Sequence, residues 1–162
     1  MNSVLLKKLN RIATRVRKGM ERFAPTVNEK VNGDMQDLNC YCAIASHALM
    51  TALKKAGIPA KLVVGYFDED EEWDYNDESD NQLDANHCWV EIEGHYMDIT
   101  ATQFAQYSEE KVVILAKEDA DLYYPYTFPK TIKNMQGKKR DSWGNQAPRV
   151  EYTKQILALA QV

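Results

Sequence analysis

The chain has 162 residues, 44% of them hydrophobic and 27% charged, with a net charge of -4. That length suits a single domain spanning 1–162, and the composition excludes a disordered, fibrous or membrane-embedded protein. Three cysteines, an odd number, do not suit a disulfide scaffold and point to reduced thiols in a cytoplasmic setting.

Lys7, Lys8, Arg11, Arg15, Arg17 and Lys18 interrupt every apolar run near the start, so no signal peptide is expected. No segment approaches ~18 uninterrupted apolar residues, and no membrane span is expected either. Leu5, Leu9, Ile12, Val16, Met20 and Phe23 recur at helical spacing. This predicts an amphipathic, basic helix over 1–24, with Ser3 as N-cap and Pro25 ending the pattern. Its basic face would suit an acidic partner or a membrane surface, but a helix covering the domain's own core is the simpler reading.

A turn-rich connection around Asn32-Gly33-Asp34 leads to a second helix from about Cys40 to Ala56. Gly57 stands at its C′ position and Pro59 just beyond. Ala43, Ala45, Ala48, Ala52 and Ala56 give it small residues on several sides, as befits a central helix. Lys61 to Phe67 reads as a strand. The stretch 68–84 then holds ten acidic residues and no Lys or Arg, leaving 20 basic against 14 acidic residues in the rest of the chain. It reads as a loop insertion. The basic remainder has no arginine-and-aromatic pattern, so no nucleic-acid partner is expected.

Next come two alternating segments, His87 to Ile92 and His95 to Thr100, joined by Glu93-Gly94 as a two-residue turn. Lys111 to Ala116 reads as a further strand, Asp119 to Pro148 as irregular, and Val150 to Val162 as a strand followed by a helix.

In the hairpin register set by that turn, Ile92 faces His95 and Trp89 faces Asp98. One face then carries His87, Trp89, Glu91, Tyr96, Asp98 and Thr100; the other carries Cys88, Val90, Ile92, Met97 and Ile99. The second face belongs to the core. On the first, His87 and Asp98 are diagonal neighbours, about 7 Å apart at the backbone and within reach of an imidazole–carboxylate hydrogen bond. A carboxylate so placed fixes the tautomer of a general base and stabilises its protonated form. A nucleophile for that base should be a thiol at a helix N-terminus, where the macrodipole and unsatisfied N–H groups favour thiolate. With Asn39 as N-cap, Cys40 and Cys42 would be the first and third helical residues. Cys42 heads the stripe Cys42, Ala45, Leu49, Leu53 and Ala56, which puts it on the sheet side, whereas Cys40 lies with Ile44, His47 and Thr51. Cys40 and Cys88 are expected to matter mainly to stability.

Three runs together resemble the transglutaminase-like superfamily. Cys42 through Ser46 to Gly57-Ile58-Pro59-Ala60-Lys61, then Val63 to Gly65, is similar to its nucleophile helix and following strand. His87-Cys88-Trp89-Val90-Glu91 resembles its His-Ala-Trp-Val-Glu strand, and Asp98-Ile99-Thr100 its Asp-Pro-Thr element. The spacing to the Gly-Ile-Pro-Ala element fits Cys42 and not Cys40. Departures are Cys88 for Ala, Ile99 for Pro, and the acidic insertion. The resemblance implies an α+β, papain-like fold, with a nucleophile-bearing central helix packed on an antiparallel sheet. It also implies acyl transfer on amide bonds of peptides or proteins through a thioester, with Cys42, His87 and Asp98 as the triad. Gln36, six residues before Cys42, resembles the oxyanion-hole glutamine of papain-like peptidases.

Zinc is the competing chemistry for Cys40, Cys42, His87 and Cys88. Cys-x-Cys on a helix and adjacent His-Cys on a strand aim neighbouring side chains apart, however, and no metal or cofactor is expected. A non-catalytic binding or regulatory module is the alternative function; loss of Cys42, His87 or Asp98 would mark it, and all three are present. Because the acidic stretch ends three residues before His87, it must pass the rim of the site; a solvated insertion is the simpler reading, and the alternative is a gate that favours basic substrates or docks onto the protein's own basic surface. Sequence does not choose between hydrolysis, deamidation and transamidation, nor does it give the oligomeric state.

Overall fold

The protein is described here from a computed structural model covering residues 1–28, 38, 41–67, 87–125 and 146–162. Gln36, Asn39, Cys40 and the acidic stretch 68–84 lie outside the described residues. Helix α1 (Ser3–Asn28) is followed by α2 (Cys42–Lys55), β1 (Lys61–Phe67), β2 (His87–Ile92), β3 (His95–Asp98), β4 (Val113–Ala116), β5 (Tyr123–Pro125) and α3 (Gln146–Ala160). The strands form one five-stranded sheet, ordered β4-β3-β2-β1-β5, in which every neighbouring pair is antiparallel. This is an α+β fold.

Leu9, Ile12, Val16, Met20 and Phe23 are all buried, so α1 does cover the core. Its ends differ from expectation. Oδ1 of Asn2 accepts the Leu5 N–H at 2.8 Å, which makes Asn2 the cap rather than Ser3. Pro25 lies inside the helix, which runs on to Asn28. A proline removes one helical bond, and close to the C-terminus that loss is not enough to stop the chain.

Much of the basic face serves the fold. Lys8 Nζ donates to Ala56 O at 3.2 Å, Arg15 to the carbonyls of Ala160 and Gln161, and Arg22 Nη1 to Leu159 O at 3.1 Å. These carbonyls sit at the C-terminal ends of α2 and α3, where helices leave acceptors unsatisfied and the macrodipole is negative. Buried Arg17 donates to Ile99 O at 2.6 Å and to Thr102 Oγ1 at 3.0 Å, tying α1 to the segment after β3. Among the described residues no helix is long and apolar enough to cross a membrane.

Helix α2 starts at Cys42, not Cys40, with Tyr41 in the N-cap position and no side-chain cap. It ends as the sequence predicts. Ile58 N–H bonds to Leu53 O at 2.9 Å and Gly57 N–H to Lys54 O at 3.0 Å, the two bonds of a Schellman motif.

The hairpin keeps the predicted register, with Ile92 opposite His95, Glu91 opposite Tyr96 and Val90 opposite Met97. Glu93 and Gly94 both take positive φ, 46° and 76°, as the two-residue turn requires. Strand β4 is shorter than the run Lys111 to Ala116. Val150, where the sequence predicts a strand, is already helical; α3 begins at Gln146, and Pro148 falls in its first turn, where a missing N–H costs no helical bond. Buried Ile156 and Leu157 join the α1 and α2 core.

The sheet is covered on both faces. Val90, Ile92, Met97 and Ile99 pack with the helices. Trp89 and Tyr96, on the opposite face, pack with Phe67, Phe104, Ala120 and Tyr123 in a second, aromatic cluster.

Candidate active site

His87 opens β2 and Asp98 closes β3, so the hairpin register alone brings them together. Both are buried, at 0% and 1% exposure, and His87 Nε2 meets Asp98 Oδ2 at 2.5 Å. A buried carboxylate must have its lone pairs satisfied, and here it does. Oδ1 accepts the Thr100 N–H at 2.7 Å and the Thr100 hydroxyl at 2.9 Å. Oδ2 accepts a second bond, from Tyr123 Oη at 3.1 Å. Burial pushes the Asp98 carboxyl up, but the facing imidazole and these donors outweigh it and hold the group below its usual range, ionised.

Cys42 reaches the pair from the helix layer. The Ala45, Leu49 and Leu53 stripe of α2 is fully buried in the core that includes the aliphatic face of the hairpin. Ser46 Oγ donates to Cys88 O at 2.8 Å, pinning the second turn of α2 to the start of β2. The half-buried Cys42 side chain hydrogen-bonds both Cys88 and His87. Since Asp98 occupies Nε2, Nδ1 is the imidazole nitrogen left for the thiol. As the first residue of α2, Cys42 also has a backbone N–H with no helical acceptor, a ready donor for an anion.

These contacts separate the proton affinities of thiol and imidazole. The Cys88 thiol as donor, then the imidazole of His87, bring the Cys42 thiol well below its ordinary value of 9.0 in spite of burial. Burial pushes His87 down, but the charge and hydrogen bond of Asp98, with Cys42 adding to them, raise it from 6.5 to about 9. Both shifts favour thiolate and imidazolium over thiol and neutral imidazole.

Aromatic rings close the site from the sheet side. Phe104 meets the imidazole edge-on at 4.7 Å between centroids, and Trp89 stacks beside it at 5.8 Å. Gly65 opposes His87 in β1 and must lack a side chain, because a Cβ there would strike the Trp89 ring and the Tyr124 carbonyl. Water kept away strengthens each charge–dipole contact.

Cys42, His87 and Asp98 therefore come together, while Gln36 and Cys40 fall outside the described residues. Sequence reasoning missed Tyr123, and also Gln103, whose Nε2 donates to Thr100 O at 2.9 Å and stands 3.4 Å from His87 Nδ1. No short-range pattern marks either one; both arrive by tertiary packing. His47 Nδ1 pairs with Thr153 Oγ1 at 2.9 Å and His95 Nδ1 with the Glu93 carbonyl at 3.0 Å, both structural contacts. Among the described residues no cluster of metal-binding groups occurs.

The class defined by fold and site is an α+β protein that presents a helix-terminal thiol to a buried imidazole–carboxylate pair. The family model of the transglutaminase-like superfamily matches residues 2–98, and the chain belongs to that superfamily, whose members are typically cysteine-dependent. No curated protein and no solved structure matches the chain. The family match stops at Asp98, so Thr100, Gln103 and Tyr123 lie beyond it.

Proposed function

We propose that the protein is a cysteine-dependent acyl-transfer enzyme acting on amide bonds of peptides or proteins, with Cys42 as nucleophile, His87 as acid and base, and Asp98 orienting the imidazole. The observation that carries this reading is the 2.5 Å bond between His87 Nε2 and Asp98 Oδ2 beside a thiol of lowered proton affinity. A non-catalytic module gives no reason to bury an ionised carboxylate under an imidazole at this cost.

In the proposed reaction the Cys42 thiolate attacks the amide carbonyl carbon, forming a C–S bond and an oxyanion that the Cys42 N–H stabilises. As the oxyanion collapses, the C–N bond breaks and His87 Nδ1–H gives its proton to the departing nitrogen. A thioester remains. Water or an amine, deprotonated by His87, then attacks the acyl carbon; the C–S bond breaks and the thiolate returns. Water gives hydrolysis or deamidation, and an amine gives transamidation. The ten acidic residues of 68–84 favour Lys- and Arg-rich substrates, a preference that weakens with salt because exposed charges are screened over about 8 Å at physiological ionic strength. A reducing, cytoplasmic setting would keep the thiol competent.

The test is a panel of neutral and basic peptides and proteins, at low and high salt, with and without added amine, read by mass. Loss of ammonia, a cut backbone and a new isopeptide bond are distinct in mass. Cys42→Ala, folded as the parent, is expected to lose all turnover; retained turnover would remove Cys42 from the chemistry.

A further inference from the structure

Oδ2 of Asp98 receives two donors, the imidazole at 2.5 Å and the Tyr123 hydroxyl at 3.1 Å. Tyr123 is 4% exposed and opens β5, whose only strand partner among the described residues is β1, with Tyr123 opposite Phe67. Its ring is held edge-on against Trp89 at 5.1 Å and against Phe67 at 4.9 Å between centroids. The hydroxyl is thus delivered by packing, in a segment outside the family match.

We propose that Tyr123 is a positioning residue of this site, a further member whose hydroxyl fixes the angle of the Asp98 carboxylate and limits how much of its charge His87 feels. The proposal rests on the acyl-transfer reading above for its effect on turnover, but not for its effect on the imidazole.

The physical case has two parts. Rotation of the carboxylate is blocked at both ends, by Thr100 on Oδ1 and by Tyr123 on Oδ2; without Tyr123, only the imidazole holds Oδ2. Second, two donors on one oxygen share its charge, so each weakens the other's bond. Removing the phenol leaves Asp98 a stronger base and a stronger partner for imidazolium, and His87 should then hold its proton to higher pH. Burial, then the Asp98 charge, push the Tyr123 hydroxyl far above its ordinary value, so it stays a donor throughout. The other titratable groups facing this pair are Cys42 from α2, Cys88 from β2 and Tyr107 from the turn Ala105–Tyr107, with Glu110 acting on Tyr123. None of them donates to Oδ2 among the described residues.

Tyr123→Phe removes the oxygen and keeps the ring. Following the His87 ring nitrogens by NMR, we expect the titration midpoint to rise by several tenths to about one pH unit. The kcat on the best peptide should fall roughly tenfold, the loss of one charge-assisted bond, with KM unchanged. In the Asp98→Asn background the same substitution should leave His87 unmoved. An unchanged midpoint in folded Tyr123→Phe, or an equal shift in the Asp98→Asn background, overturns the proposal. A second readout needs no Tyr123 variant: the phenolic carbon shift of Tyr123 should move between the parent and Asp98→Asn, and an unmoved shift also overturns it. Absence of turnover in every form would defeat the acyl-transfer reading alone, since the His87 titration decides the role of Tyr123 separately.

Discussion

On one face of the sheet Val90, Ile92, Met97 and Ile99 lie buried under helices; on the other, one step along the same strands, His87, Trp89 and Asp98 lie as deeply buried under aromatic rings. Burial is equal, and the requirements differ. The aliphatic face asks only for apolar volume, which many side chains can supply. The aromatic face holds charge and must answer each polar atom, as the four donors to Asp98 do. Even there one buried donor, Trp89 Nε1, has no hydrogen-bond partner among the described residues.

Substitutions should separate the two faces. The largest effect belongs to Asp98→Asn, which keeps the shape but loses the charge and the tautomer control; turnover should fall by on the order of 10³ to 10⁴. Leu49→Ala, beneath the aliphatic face, should instead cost about 2–5 kcal/mol of stability by denaturant unfolding. At temperatures where it stays folded, Cys42 should alkylate with iodoacetamide as fast as in the parent. Marked slowing of that alkylation would mean that the faces are not independent.

A smaller effect is expected between the faces, at Cys88. Its side chain belongs to the apolar side of β2, yet it hydrogen-bonds Cys42 and is the largest single influence lowering that thiol. Cys88→Ala should therefore move the acidic limb of Cys42 alkylation upward, and not only affect stability as its place in the sequence suggests. A limb that stays in place would return Cys88 to a packing role.

The same contrast explains what could be read from the sequence. Strand β1 and the hairpin were legible because alternation sets the faces and Glu93-Gly94 sets the register; His87 beside Asp98 follows from those two facts. Cys42 was legible as a helix-terminal thiol, although the helix begins two residues later than expected. The proline at 25 and the stretch Val150 to Val162 misled, because local propensity yields to packing of α1 on α3. Tyr123 and Gln103 were invisible, since they sit in stretches without period and reach the site through pairings distant in sequence.

Reactivity, rather than stability, is the measure to use for the Cys42–His87 pair. The raised His87 contributes stability that is complete below 6.5 and lost as pH climbs through about 9. The lowered Cys42 contributes stability that is present above 9.0 and lost as pH falls through its folded value. Between those limits the two slopes oppose each other, and a stability curve is nearly blind to the pair.

The most direct test is the pH dependence of Cys42 alkylation by iodoacetamide, with the modified residue mapped by mass, in the parent and in His87→Ala. In the parent, the rate should rise along a limb well below the ordinary thiol value of 9.0; in His87→Ala that limb should move up toward the ordinary value. A parent limb at the ordinary thiol value, or identical profiles for the two proteins, would contradict a thiolate–imidazolium pair at Cys42 and His87.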